Sequence, residues 1–217
     1  MLCEESSYGV MSGLTFATRP DGGPYCDPSA LPIVHAWLGE NVKIPRDGCT
    51  ILFPQCGTAV TEVALLKRLM ADDDGIDVRR AIFMDHVMEL IEVDQFADVD
   101  ARCEKIDLFR RYKDLNSFLL ETRPTNLVVV GIHARMFYGE FPFDDYVDFC
   151  GICGDACVTP YINFRQLVTC SDYFSRSKFE RTIHETDQTV VVWTCPWEDA
   201  MKDAVEMRAF VAAKKVA

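Results

Sequence analysis

Residues 51–59 read Ile51-Leu52-Phe53-Pro54-Gln55-Cys56-Gly57-Thr58-Ala59 and predict a buried strand that turns directly into a helix. The apolar run Thr50–Phe53 has the composition of a parallel strand covered on both faces, and Pro54 ends its hydrogen-bond ladder. Apolar residues at helical spacing follow, from Val60 to Met70. Because a glycine lets the backbone come close to a ligand and a helix N-terminus offers free N–H groups, we expect a ligand around Pro54–Thr58.

Predicted strands and helices also alternate through the rest of the chain. Further strands are predicted at Ala81–Met84, closing at Asp85, and at Leu127–Ile132, Ala156–Ile162 and Thr189–Thr194. Helical faces are predicted at 31–38, 108–119, 171–186 and 201–210, whereas residues 86–105 are acidic and show no clear pattern. Strands that alternate with helices indicate a Rossmann-like α/β fold, with a doubly wound, mostly parallel sheet in three α/β/α layers.

Length and composition suggest one domain with an N-terminal extension. The chain has 217 residues, of which 49% are hydrophobic, enough for a sizeable core. Residues 1–28 are punctuated by Gly and Pro and are interpreted as an arm, and residues 29–217 as the domain. The sequence shows neither a signal peptide nor an apolar run long enough to span a membrane. Ten cysteines without a secretion signal indicate reduced thiols, so we expect an intracellular, cytoplasmic protein.

The net charge of −12 limits the choice of partner. A domain with this charge repels a phosphate backbone unless it carries a basic patch, and the Lys and Arg residues are scattered. We therefore do not expect direct nucleic-acid binding without a partner, or membrane binding. An acidic surface is instead suited to docking onto a basic protein.

The Pro54-Gln55-Cys56-Gly57 core resembles the first motif of class I S-adenosylmethionine-dependent methyltransferases. It is closest to the thiopurine-methyltransferase-like branch, whose strand also ends in proline-x-cysteine-glycine. The resemblance implies S-adenosylmethionine as cofactor and a methyltransferase activity on a substrate that the sequence does not name. It also implies a set of residues along the methionine part of the cofactor: Phe53, Gln55, Cys56, Gly57 and Thr58.

Asp85 closes the second predicted strand. In the family that the first motif resembles, an acid at this position accepts hydrogen bonds from the cofactor ribose. A carboxylate is suited to this role because it is an acceptor only, with room for two donors. The alternative is that Asp85 caps the helix that follows.

His133 follows the predicted strand Leu127–Ile132. This segment resembles the fourth strand of a methyltransferase subgroup in which Gly-Leu-His follows the strand, a pattern found in some RNA-modifying methyltransferase-like proteins. The resemblance implies that His133 contacts the substrate or acts as a base near neutral pH. A purely structural role is the alternative.

Two other functions are consistent with the sequence. Phe53 replaces the acid common in the family, and Gln55 and Ala59 stand where many members have glycine, which favours a non-catalytic subunit that binds other proteins. The spacing of Cys150, Cys153 and Cys157 suggests instead a metal or iron–sulfur site, because closely spaced thiolates can reach one metal. We expect these cysteines to be structural, with Cys150 ending a helix, Cys153 in a turn and Cys157 in a strand, and no metal ligands.

Overall fold

A computed structural model describes much of the chain after residue 30: residues 31–45, 47–54, 56, 59–71, 76–85, 93–99, 102–107, 112–132, 143–166, 180–185 and 188–216. The predicted arm, residues 1–28, lies outside these residues. None of the helices in the described part of the chain is long and apolar enough to cross a membrane.

Seven strands form one sheet in the order β3-β2-β1-β4-β5-β7-β6. The strands are β1 (Cys49–Pro54), β2 (Val78–Asp85), β3 (Arg102–Asp107), β4 (Leu127–Ile132), β5 (Tyr161–Gln166), β6 (Glu180–Glu185) and β7 (Gln188–Cys195). Only β7 runs antiparallel to its neighbours β5 and β6, and the other described pairs are parallel. The chain builds one half of the sheet outward from β1, then returns to place β4 on the other side of β1.

Five helices cover the two faces of the sheet. They are α1 (Leu31–Asn41), α2 (Val60–Ala71), α3 (Tyr112–Thr122), α4 (Phe143–Ala156) and α5 (Trp197–Val216), with a short 3-10 turn at Val93–Phe96. The core is divided by the sheet, because successive strand residues point to opposite faces. Ile51 and Phe53 pack with α1 and α2, whereas Leu52 packs with α3, α4 and α5. The predicted three-layer α/β/α architecture is thus confirmed.

The sheet edges differ from the sequence prediction. β3 lies in the segment that showed no pattern, and β6 lies in residues 171–186, so the predicted helix is wrong for Glu180–Glu185. Both strands are at the edges of the sheet. An edge strand has a neighbouring strand on one side only, so it does not need the apolar run of a central strand. The sequence prediction relied on apolar runs and therefore missed both strands.

The predicted strand Ala156–Ile162 is also wrong at its start. Ala156 is the last residue of α4, and β5 begins at Tyr161, directly after Pro160. Pro160 has no N–H for a ladder, which explains why the strand begins after it. The predicted helix 108–119 begins at Tyr112, and Leu108 lies outside the described residues.

Two of the three closely spaced cysteines, Cys150 and Cys153, are buried within α4. Cys157 follows the last residue of the helix, donates its N–H to the Cys153 carbonyl at 2.8 Å and forms an isolated parallel bridge with Leu127. Burial raises the pKa of the Cys153 thiol, and no group of three metal-binding side chains occurs in the described part of the chain. The predictions that Cys150 ends a helix and that Cys153 lies in a turn are wrong, and Cys157 makes a single bridge rather than part of a longer strand.

Trp197 fastens the start of α5 to the core. Its indole N–H donates to the Thr159 carbonyl at 2.9 Å, and its ring lies 5.7 Å from that of Phe149 and 5.6 Å from that of Tyr161. A buried tryptophan needs such a partner for its N–H, and here it comes from the loop before β5.

The buried thiol of Cys150 predicts a loss of stability at high pH. Burial raises the pKa of Cys150 to about 12, although the nearby Tyr146 hydroxyl opposes the rise. The thiols of the unfolded chain ionise near pH 8.5, so the folded state holds its proton longer. The free energy of unfolding should therefore fall as pH rises above about 8.5.

Urea unfolding between pH 7.5 and 10.5 on the wild-type chain and on Cys150→Ala checks this expectation. The variant should lose stability with pH less steeply, by up to about 1.4 kcal/mol per pH unit, because one shifted proton is removed. Other titrating groups contribute equally to both proteins. Parallel pH curves for the two would contradict the assignment.

Candidate ligand-binding site

β1, β2 and β4 are parallel, so their carboxyl ends lie side by side at one end of the strands. We call this the carboxyl edge, as distinct from the edge strands β3 and β6. Pro54 of β1 pairs with Met84 of β2, so Asp85 lies one residue beyond that pair. Leu52 pairs with Val129 of β4, and β4 ends three residues further on, at Ile132. The strand order reverses between β1 and β4, which is where open α/β sheets bind ligands. The topology therefore brings Phe53, Asp85 and the end of β4 to one edge.

The loop after β1 is tied to β2 by a main-chain hydrogen bond. The N–H of Cys56 donates to the Met84 carbonyl at 2.9 Å, which extends the ladder between the two strands past Pro54. The carbonyl of Cys56 then accepts the N–H of Ala59 at 2.8 Å and closes a four-residue turn. The loop is thus held at both ends before the helix begins.

Ala59 is the joint between this turn and α2. Its φ of 61° lies in the left-handed region, which a non-glycine residue seldom adopts. Its carbonyl accepts the N–H of Val63 at 2.9 Å, the first bond of the helix, and its side chain is fully buried. The position that many members of the resembled family fill with glycine thus has a backbone suited to glycine.

The first turn of α2 lies beside the loop and offers two kinds of surface. The first N–H groups of a helix, here those of Val60 and Thr61, have no carbonyl within the helix to bond, and they favour negatively charged ligand groups. The Val60 side chain is 58% exposed. Polar main-chain donors and an apolar side chain therefore lie together at the end of β1.

Phe53 does not present its side chain at this edge. It is fully buried and stacks on Phe83 at 5.3 Å, and Phe83 stacks in turn on Phe96 at 4.8 Å. Replacement of an acid by phenylalanine therefore extends the core under the site, and only the main chain of Phe53 can face a ligand. The Cys56 side chain is also buried.

The other predicted site residues are placed only in part. Asp85 is the last residue of β2, as predicted, and pairs in register with Asp107 of β3. Gln55, Gly57, Thr58 and His133 lie outside the described residues, His133 directly after the end of β4. Their roles, and that of the Asp85 side chain, stay predictions.

Two buried polar residues at this end of the fold were not proposed as site residues from the sequence. Glu62 is only 4% exposed in the first turn of α2, where the sequence suggested no more than a favourable interaction with the helix dipole. Asn163 is 8% exposed and pairs in register with Gly131 near the end of β4. An asparagine within an apolar strand such as Tyr-Ile-Asn-Phe is a signal that could have been read.

Comparisons with known proteins give structural matches alone. Neither a protein-family model nor a curated protein sequence matches the chain. The rRNA methyltransferase AviRa from Streptomyces viridochromogenes matches with a TM-score of 0.51 and 12% identity, over 88% of this chain and 92% of that chain. A class I S-adenosylmethionine-dependent methyltransferase from Listeria monocytogenes has a TM-score of 0.46 and 14% identity, over 88% and 66%. An S-adenosylmethionine-dependent methyltransferase from Agrobacterium tumefaciens has 0.47 and 12%, over 80% and 64%.

At such low identity the likeness to AviRa concerns the fold. The strand order with one antiparallel strand, β7, and the match over most of both chains agree on one architecture. The chain has a Rossmann-like α/β fold, which it shares with this methyltransferase.

The left-handed backbone of Ala59 predicts an unusual tolerance for glycine. Ala59→Gly should remove a backbone cost of about 1–2 kcal/mol and lose about 0.8 kcal/mol of methyl burial. The free energy of unfolding should therefore equal that of wild type or exceed it by up to about 1 kcal/mol. Ala59→Val should lower it by at least about 2 kcal/mol, since a β-branched side chain is strained at this φ and overpacks the core.

Ala64→Gly is the matched control because Ala64 lies within α2. There the same change should cost about 1 kcal/mol, the ordinary penalty for glycine in a helix. Chemical unfolding of the three variants gives the comparison. Ala59→Gly costing as much as Ala64→Gly would show that residue 59 is not left-handed in solution.

Proposed function

We propose that the chain binds S-adenosylmethionine at the carboxyl edge of β1, β2 and β4 and transfers its methyl group to an acceptor. The observation that carries the proposal is the tied turn at Cys56–Ala59. It joins a central buried strand to a helix N-terminus at the reversal of strand order. The proposal includes the resemblance of the first motif to that of thiopurine-methyltransferase-like proteins.

The residues at the edge fit such a ligand in chemical type. The cofactor carries a carboxylate, two ribose hydroxyls and apolar surface. The first N–H groups of α2 suit the carboxylate, and the carboxylate of Asp85 suits the hydroxyls. The exposed Val60 side chain offers apolar contact. Gly57 leaves the main chain of the loop open to close approach.

The bound cofactor would supply a methyl group on a positively charged sulfur, which needs no covalent help from the protein. The part left to this chain is positioning, because a correctly aligned acceptor reacts far faster than one free in solution. Asp85 and the loop would fix one reactant at the ends of β1 and β2. His133, directly after β4, would orient the acceptor and take its proton.

The acceptor remains to be found. AviRa acts on rRNA according to its name, but this likeness shows the fold alone. A net charge of −12 opposes unassisted RNA binding by this chain. An RNA acceptor would therefore need a basic partner to bring it to the site, whereas a small or protein acceptor would not.

Calorimetric titration with S-adenosylmethionine and S-adenosylhomocysteine tests the proposal on the full chain. We expect saturable binding of both ligands. Asp85→Ala should weaken binding by about 10- to 100-fold, because a charged acceptor of two hydrogen bonds is lost. Asp85→Asn should fall between the two, since an amide oxygen still accepts.

Glu121→Ala serves as the matched control. Glu121 is an exposed acid near the end of α3, the helix that leads into the opposite edge of the sheet, and its removal should leave affinity unchanged. Absence of binding at millimolar ligand by the folded chain would refute the proposal and favour a non-catalytic subunit. Equal affinity of Asp85→Ala and wild type would refute the role of Asp85 alone.

A further inference from the structure

The outer surface of α4 and the first half of α5 carries a strong excess of negative charge. α4 contains four acids and no Lys or Arg: Asp144, Asp145, Asp148 and Asp155. Residues 197–206 of α5 contain four more, Glu198, Asp199, Asp203 and Glu206, against one lysine, Lys202. Lys202 forms an ion pair with Asp199 at 3.6 Å, so its positive charge offsets that of one of these four acids.

A groove with apolar walls runs between these two helices. It has a volume of about 250 Å³ and is lined by Val147, Met201 and Val205, with Lys202 and Glu206 at its rim. Val205 is 39% exposed, although the helices on either side bury their other face against the sheet. We call this feature the α4–α5 groove.

Helix electrostatics explain only part of the charge. Acids in a first turn are favoured by the helix dipole, which accounts for Asp144, Asp145, Glu198 and Asp199. Asp155 lies in the last turn of α4, where the dipole disfavours an acid, and Asp148 and Asp203 are exposed in helix interiors. The exposed acids beyond the first turns of α4 and α5 are therefore not explained by the helix dipoles, and one of them, Glu206, lines the groove.

The charge selects among possible occupants. A second copy of this chain carries the same acidic surface and a net charge of −12, and a nucleic acid or an anionic membrane is also negative. Each would be repelled. A cationic helix with one apolar stripe has the complementary pattern, since its stripe fits the apolar walls and its Lys and Arg residues meet the exposed acids of α4 and α5.

We propose that the α4–α5 groove binds a basic amphipathic helix of a partner protein. The groove is lined by residues of α4 and α5, and none of them belongs to the candidate ligand site. A partner bound there therefore does not compete for the residues assigned to the ligand. The proposal is independent of methyl transfer, and it gives a place to the basic partner that the composition predicts.

The test uses a labelled amphipathic peptide of leucine and lysine, about 14 residues long so that it can form a helix. Fluorescence anisotropy with the full chain measures binding, and circular dichroism confirms that each variant folds. The wild-type chain should bind the peptide with an affinity that falls as salt rises. A peptide with glutamate in place of lysine should not bind.

Two variants test the groove itself. Val205→Asp places a charge on the apolar wall, and the triple variant D148K/D203K/E206K reverses the charge of three exposed acids of α4 and α5, of which Glu206 lines the groove. Each should weaken binding by about tenfold or more. The matched control E40K/D98K/E121K makes the same change in net charge at exposed acids on other elements, and binding should weaken by less than about threefold.

The alternatives give different results. Equal loss in the groove variant and in the control would show uniform attraction by net charge and would overturn the proposal. Absence of peptide binding at low salt would also overturn it. A dimer of the wild-type chain in sedimentation that Val205→Asp dissolves would identify the groove as a self-interface, which is equally incompatible with the proposal.

Discussion

The whole fold depends on the parallel hydrogen bonding of β1 to strands on both of its sides. β1 pairs with β2 on one side and with β4 on the other, and all six of its residues are buried. A parallel strand so enclosed must be apolar and must leave the sheet at its carboxyl end without a hairpin. The chain therefore leaves β1 at its carboxyl end, in the middle of the sheet. β2 lies on one side of this point and β4 on the other.

The unfavourable conformational energy of this arrangement is concentrated in the turn between β1 and α2. The loop must leave β1, keep its main chain bonded and enter α2 within a few residues. It does so through the bond from Cys56 to Met84 and through a left-handed Ala59. A non-glycine residue in that conformation stores unfavourable energy that the surrounding core must offset. The stacked rings of Phe53, Phe83 and Phe96 provide a rigid base beneath the turn.

The sequence predicts the central strands of the sheet better than its edge strands. β1, β2, β4 and β7 were predicted within three residues at either end because each carries an apolar run, and the fold class followed from them. β3 and β6 carry mostly polar residues, as edge strands can, and gave no such signal. The cysteines of α4 were misplaced because their glycines suggested a turn, whereas Gly151 and Gly154 lie within a helix whose packing overrides their weak propensity.

The candidate site was predicted more by position than by chemistry. The sequence predicted the ends of β1, β2 and β4, and the structure has these three parallel strands side by side. It overlooked that Glu62 and Asn163 are buried, which only packing reveals. The two proposals rest on independent observations: the strand ends at the reversal of strand order, and the acidic outer surface of α4 and α5.

The most direct test of the central claim is a map of ligand-induced shifts in backbone amide resonances of the full chain. Titration of labelled protein with S-adenosylhomocysteine should perturb residues 54–62 and Asp85 most, then those next to the end of β4. Resonances of the α4–α5 groove should hardly move. Shifts confined to other surfaces, or no shifts at saturating ligand, would contradict the claim that this sheet edge binds the cofactor.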